Sequence, residues 1–228
     1  MNVLFIGNSY TYFNDMPTLF AQLANCNGKN ITVSSVTRGG RKLIDYTDST
    51  DPTTQKLDAL LEEAQFDVCF LQEQSVLPIT DYDRFLQGLE CVLHKLQSHP
   101  CQKILYATWS RKDGHSLLTE KNWSCSDMTD SLSKAYGDAA RLHDARVSPA
   151  GLVFRQVALA HPEIELYDPD GSHPSYAGSC LAALTHYFTL FGTLPKRTDS
   201  LALSSDTLSA FQSAIQTLPE KDAPASGT

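Results

Sequence analysis

Residues 1–13 read MNVLFIGNSYTYF. The run Val3-Leu4-Phe5-Ile6 is apolar without interruption, as expected of a strand covered on both faces. Gly7 stops the run, and Asn8 and Ser9 follow. A buried strand that ends in glycine and small polar residues often delivers a reactive group to the edge of a sheet. The same residues also describe an ordinary strand followed by a turn, so the remainder of the chain has to separate the two.

Working outward from this stretch, strand-like and helix-like apolar patterns alternate. Strand patterns fall at 3–6, 31–36, 68–71, 104–107, 146–148 and 165–167. Helical spacing recurs at 17–24, 53–64, 82–96, 126–143, 175–191 and 204–217, the first with Pro17 near its start. Strands separated by helices of this length imply right-handed crossovers and a mainly parallel sheet. The expected architecture is a three-layer α/β/α domain over residues 1–218. The polar, Pro- and Gly-bearing segment 219–228 reads as a disordered tail. The longest irregular stretch, 110–122, reads as a surface loop or a cover for a site.

Composition narrows the function. The chain has 228 residues, 42% apolar and 19% charged, which suits one large domain with a substantial core. A formal charge of -8 with no Lys/Arg cluster argues against a nucleic-acid partner. No apolar stretch approaches the roughly 20 residues needed to cross a bilayer. No basic and then apolar leader is visible, which sets the expectation of a cytoplasmic location. The six cysteines, Cys26, Cys69, Cys91, Cys101, Cys125 and Cys180, show neither a CxxC pair nor zinc-ligand spacing and read as reduced, mostly core-packing thiols. The histidines show no HExxH or clustered spacing, and no G-x-x-x-x-G-K or G-x-G-x-x-G occurs. No metal or cofactor is therefore expected.

Four short segments carry chemistry. In open α/β sheets ligands collect beyond the carboxyl ends of the strands, where Ser9 stands. GNSYT lacks the second glycine of the G-x-S-x-G elbow, which disfavours that hydrolase type. Near the other end, Asp168-Pro169-Asp170-Gly171-Ser172-His173-Pro174-Ser175 contains a D-x-x-H spacing. Such a spacing can hold a carboxylate against one imidazole nitrogen and leave the other free as a general base. It also fits a Pro/Gly turn whose Asp caps the next helix. In Thr37-Arg38-Gly39-Gly40-Arg41, glycines allow a backbone N–H to approach a ligand closely. In Leu71-Gln72-Glu73-Gln74-Ser75 a buried strand ends in amides, which can donate to an oxyanion or merely satisfy the strand end. Each segment alone suits a plain turn. Their joint occurrence after the first, second, third and last strand-like segments points to one site.

These segments resemble the four sequence blocks of the SGNH (GDSL-like) hydrolase superfamily. The surrounding phrases GNSYTYFNDMP, LQEQS, ATW at 107–109, SPAGLVF and LYDPDGSHPSYAGSCLAA are similar to a bacterial subgroup of uncharacterised SGNH proteins. The resemblance implies a flavodoxin-like fold with a five-stranded sheet and ester hydrolysis without a metal. It assigns Ser9 as nucleophile, His173 as base and Asp170 as its orienter. The N–H groups of Ser9 and Gly40 become oxyanion donors, with Gly39 the alternative glycine. The family's usual third donor, an asparagine in a GxND block, is absent. LQEQS is closer to the QGES block of sugar acetylesterases, which points to Gln72, with Gln74 the alternative. On this reading Gln72→Ala loses activity while remaining folded.

Asp168 is the rival acid, disfavoured by its longer spacing to His173. Trp109, after the fourth strand, reads as a lining residue for an acyl or sugar site or as a core tryptophan. Tyr10, Tyr12 and Asn14 either shape the pocket or pack, and Arg38 and Arg41 either meet an anion or are solvated. The expected function is removal of a short acyl group, acetyl above all, from a carbohydrate or small-molecule ester. A thioesterase or lysophospholipase, an acyltransferase, and a non-catalytic ligand-binding module of the same fold are the alternatives. Nothing in the sequence sets the oligomeric state.

Overall fold

A computed structural model of the chain describes residues 1–218; the segment 219–228, read above as a tail, lies outside the described residues. In chain order the elements are β1 (Asn2–Gly7), α1 (Ser9–Tyr12), α2 (Met16–Cys26), β2 (Thr32–Thr37), α3 (Pro52–Glu63), β3 (Val68–Leu71), α4 (Leu77–Thr80) and α5 (Tyr82–Lys95). They continue with β4 (Gln102–Tyr106), α6 (Ser116–Lys121), α7 (Cys125–Leu142), β5 (Arg146–Ser148), α8 (Ala150–Ala160), α9 (Tyr176–Phe191) and α10 (Ser205–Gln216).

The five strands form one sheet in the order β2-β1-β3-β4-β5, and every pairing is parallel. β1 is an interior strand, with Phe5 opposite Ser35 on one side and Phe70 on the other. The uninterrupted apolar run at 3–6 follows from this position. Successive side chains of a strand face opposite ways, so a strand covered twice must be apolar throughout. Val3 and Phe5 pack with Phe20 of α2, Phe154 of α8, Leu181 of α9 and Phe211 of α10. Leu4 and Ile6 pack on the other face with Leu57 of α3, Phe85 of α5 and Leu132 of α7. The result is the expected three-layer α/β/α arrangement. All six cysteines are free thiols, and Cys69, Cys101 and Cys180 are buried.

Local signals start the helices where the sequence places them. The side chains of Asp51, Asp81, Ser124, Ser175 and Ser204 accept backbone N–H groups at the starts of α3, α5, α7, α9 and α10. Three elements differ from the sequence reading. Segment 165–167 is not a strand: only Tyr167 forms a single antiparallel bridge, to Pro174. Leu166 and Tyr167 are apolar because they are buried beneath α8 and α9, not because they pair in the sheet. The segment 150–160, unassigned in the sequence reading, is helix α8, whose buried Ala150, Val153, Phe154 and Val157 stand at helical spacing. The stretch 110–122 contains α6, and its first residues, Ser110 and Arg111, are buried rather than forming a surface cover.

This topology fixes where a site can form. The chain leaves β1 for β2 on one side and reaches β3 on the other, so a crevice opens at the carboxyl end of β1. Close packing then presses α9 onto the segment that leads into 168–173. A Cβ on Gly178 would sit 2.3 Å from the Leu166 carbonyl oxygen and 3.0 Å from the Phe154 ring. Gly178→Ala is therefore expected to destabilise the fold by roughly 2–3 kcal/mol, measured by denaturant unfolding. An unchanged midpoint would show that α9 shifts freely.

Candidate active site

Ser9 begins at Gly7. A Cβ there would lie 2.5 Å from both Gln72 Oε1 and Thr11 Oγ1, so only glycine lets those two side chains press against the end of β1. Asn8 caps α1 through Oδ1, which accepts the Tyr10 N–H at 3.2 Å. Its Nδ2 donates to the Arg41 carbonyl at 3.0 Å and so ties the loop after β2 to the same corner. Ser9 is then the first residue of a helical turn, 9% exposed. Gly40 stands exposed on that loop with φ +67°, a conformation open to glycine at no steric cost. Among the described residues, the N–H groups of Ser9 and Gly40 donate to no protein acceptor. Gly39 is also exposed, next to the Tyr12 hydroxyl.

The 168–173 segment folds back on itself. Asp168 N–H donates to the His173 carbonyl, and Gly171 N–H to the Asp168 carbonyl, each at 2.9 Å. Asp170 Oδ1 accepts the N–H groups of Ser172 and His173, both at 2.9 Å. Its Oδ2 lies 2.5 Å from His173 Nδ1. That contact puts the ring proton on Nδ1 and leaves Nε2 as an acceptor. Nε2 lies 2.9 Å from Ser9 Oγ. Burial pushes the Asp170 carboxyl up, but the hydrogen bonds from the His173 ring and the two N–H groups outweigh it, bringing it down to about 2. Phe13 stacks on the imidazole at 4.3 Å, and Tyr10 meets it edge-on at 5.6 Å. Asp168 reaches this turn through its backbone alone.

Two residues singled out by the sequence take other places. Gln72 is 1% exposed, and its amide is turned inward. Oε1 accepts the Asn8 N–H at 2.8 Å and the Thr11 hydroxyl at 2.9 Å, while Nε2 donates to the Glu73 carbonyl. It braces the backbone behind Ser9 and is not a free donor at the sheet edge. Gln74 is only partly buried; its Oε1 accepts the N–H groups of Val76 and Leu77 at 3.1 Å, and its Nε2 has one long contact, 3.3 Å to Ser75 Oγ. Trp109 is not a lining residue either. It is 1% exposed, stacked between Tyr10 and Phe154, and its Nε1 donates to the Ser172 carbonyl at 3.1 Å.

Arg111 escaped the sequence reading. It is 8% exposed and, among the described residues, has no carboxylate at ion-pair distance. Its guanidinium donates to the Tyr10 hydroxyl and, at 2.8 Å, to Ser75 Oγ. Tyr10 is thereby free to donate its own proton to Ser172 Oγ, 2.7 Å away. One buried cation thus joins the ends of β1, β3 and β4 to the turn that carries His173. No local pattern marks it, because an arginine in a polar stretch reads as solvated. Asn14 braces the same turn, donating to the Pro174 carbonyl at 3.0 Å and to Ser179 Oγ at 2.9 Å. On the outer side of the glycine loop lies a polar hollow of about 450 Å³, walled by Arg38, Gly39, Gly40, Asp45, Asp48 and Arg84.

No protein-family model matches the chain, and no curated protein matches it. Solved structures do. A candidate SGNH hydrolase from Slackia heliotrinireducens is 29% identical, with a TM-score of 0.74 over 83% of this chain and 98% of that one. A DUF4886 family protein from Bacteroides uniformis is 17% identical, with a TM-score of 0.78 over 94% and 93%. An acetyl xylan esterase, AlAXEase, is 19% identical, with a TM-score of 0.62 over 84% and 100%. In its parallel five-stranded sheet, its strand order and these likenesses, the chain is a protein of the SGNH (GDSL-like) hydrolase fold.

Proposed function

We propose that the protein is a serine ester hydrolase that removes a short acyl group, acetyl above all, from a carbohydrate or similar small polar alcohol. The observation that carries this reading is the 2.9 Å approach of Ser9 Oγ to an imidazole whose other nitrogen is held by a carboxylate. A serine hydroxyl is a weak nucleophile until a base accepts its proton. His173 Nε2 takes that proton as Ser9 Oγ bonds to the ester carbonyl carbon. The negative charge arriving on the carbonyl oxygen meets the N–H groups of Ser9 and Gly40. His173 then returns the proton to the leaving alcohol. Water repeats both steps on the acyl-enzyme and frees Ser9.

We assign the third oxyanion donor to Gln74, because the Gln72 amide is committed to Asn8, Thr11 and Glu73. The polar hollow beside Gly39 and Gly40, which neither Ser9 nor His173 lines, supports a hydroxyl-rich alcohol held next to the glycine loop. That one structural neighbour is an acetyl xylan esterase points the same way. A non-catalytic binding module is the second reading, favoured by the inward turn of Gln72 at the place where the third donor is sought. Acyl transfer to a sugar in place of water would use the same residues, and product analysis with a sugar acceptor separates it from hydrolysis.

A phosphonate ester probe tests the reading. Ser9 is expected to gain the phosphonyl mass in the native protein and not in His173→Ala, and Ser9→Ala should lose acetate release from acetylated sugars by about a thousandfold or more. Absence of labelling at any pH would favour the binding module. The two glutamines should separate cleanly. Gln74→Ala lowers kcat by roughly a hundredfold and, because the Val76 and Leu77 N–H groups it releases lie at a partly exposed site, costs less stability than Gln72→Ala. Gln72→Ala strands the Asn8 N–H and costs roughly 1–3 kcal/mol in unfolding experiments. Equal effects on stability would refute the distinction.

Asp170 supplies a pH test. Its folded pKa is depressed to about 2, so its ionised form stabilises the fold above the unfolded carboxyl pKa, and that contribution fades as pH falls towards 2. Asp170→Asn is therefore expected to be less stable than the native chain at neutral pH, with the gap closing in acid. A pH-independent gap would show that the carboxylate charge is immaterial to the turn.

A further inference from the structure

Glu73 is fully buried, yet the reaction above gives it no task. Its Oε1 accepts the Gln74 N–H at 2.5 Å and the Leu43 N–H at 3.2 Å, and its Oε2 accepts the Leu43 N–H at 3.1 Å. Its own N–H donates to the Tyr136 hydroxyl at 3.2 Å, and its carbonyl accepts Gln72 Nε2. The carboxylate therefore links two segments that flank Ser9. One is the loop after β2, which carries Gly39 and Gly40 and is already tied to Asn8 through the Arg41 carbonyl. The other is the turn after β3, which carries Gln74.

Burying a carboxylate is expensive, and a neutral side chain of the same shape would avoid that cost. The position nevertheless demands acceptors only, because both groups facing it are N–H donors. A carboxylate presents two acceptor oxygens and no donor, whereas a glutamine presents one oxygen and an NH₂ that would oppose an N–H. An apolar side chain would leave both N–H groups unsatisfied. Hydrogen bonds to an ionised acceptor are also shorter and roughly twice as strong as neutral ones.

We propose that Glu73 is a positioning residue for the oxyanion site: its carboxylate clamps the Leu43 N–H of the glycine loop to the Gln74 N–H of the neighbouring turn, and so fixes Gly40 and Gln74 relative to Ser9. The inference rests on the hydrolase reading for its effect on turnover, while the clamp itself is independent of it. It also makes the clamp sensitive to pH. Burial raises the Glu73 pKa to about 7, against the pull of the Gln74 and Leu43 N–H groups; Asp45 adds to the rise and Lys42 opposes it. Tyr136, from α7, is the remaining titratable group beside it, and burial holds its hydroxyl protonated, with a pKa far above neutrality. A folded pKa above the ordinary carboxylate value means that ionising Glu73 costs stability as pH rises towards 7, while it strengthens the grip on the two N–H groups.

The test follows the amide resonances of Leu43 and Gln74 in the native protein across neutral pH. Both are expected to titrate together with a midpoint near 7, to do so still in His173→Ala, and to stop in Glu73→Gln. With p-nitrophenyl acetate, Glu73→Gln should lower kcat by about tenfold to a hundredfold and leave KM within about twofold. Amides that do not titrate, or a titration lost in His173→Ala, would overturn the clamp. So would a Glu73→Gln enzyme with native kcat, or one changed in KM alone. Should Glu73→Gln fail to fold, the titration in the native protein and in His173→Ala decides by itself. A native protein without turnover or Ser9 labelling would sink the hydrolase reading instead, and the amides would still report on the clamp.

Discussion

The hydrogen bond between Ser9 Oγ and His173 Nε2 joins residues 164 positions apart. Neither residue can create that contact locally. Ser9 is placed by the end of the interior strand β1, and His173 by a turn that belongs to no strand, so the contact exists only if the sheet, α9 and the intervening turns are all in place. A small error in any of them would separate the pair and take the imidazole out of reach of the hydroxyl. The structure answers this demand with packing and with hydrogen bonds that are themselves shielded from water.

Three braces do this work, and each uses a buried polar group that would be costly if left alone. Gln72 fills the space above Gly7 and holds Asn8 and Thr11. Arg111 reaches the Tyr10 hydroxyl and Ser75, and Tyr10 in turn reaches Ser172, while Trp109 holds the Ser172 carbonyl. Glu73 gathers the N–H groups of Leu43 and Gln74. Such networks are electrostatically strong inside a protein because the surroundings screen them poorly, and they fix one arrangement because an unpaired member is so unfavourable. Among the described residues, the N–H groups of Ser9 and Gly40 have no protein acceptor. Ser9 follows β1 and Gly40 follows β2, so both stand at the carboxyl edge of the sheet.

Much of this was legible in the sequence, and the limits have physical causes. The strands at 3–6 and 68–71 stood out because a doubly covered strand must be apolar at every position. Five helices begin at side-chain acceptors, a device local in sequence, close to where the apolar spacing places their starts. Segment 165–167 misled because burial beneath helices leaves the same apolar signature as burial in a sheet. Helix α8 left little trace because its exposed end also carries apolar residues, Leu159 and Ala160, which blur the polar stripe. At the site, the D-x-x-H spacing left a plain turn open and the resemblance singled out Asp170 and His173, whose contact is local. Gln72, Gln74, Glu73 and Arg111 were not separable, because which of them turns inward depends on neighbours from β1, α7 and the loop after β4. Those neighbours are distant in sequence.

The central claim is that Ser9, activated by His173, carries the acyl group during turnover. It is tested most directly by rapid acid quench of the protein mixed with an acetylated sugar, followed by peptide mass analysis. The account predicts an acetyl group on the peptide containing Ser9 at early times, discharged as acetate is released and absent when His173 is replaced. Acetate release at an undiminished rate with Ser9 replaced by alanine, or an acyl group carried on any other residue, would contradict it.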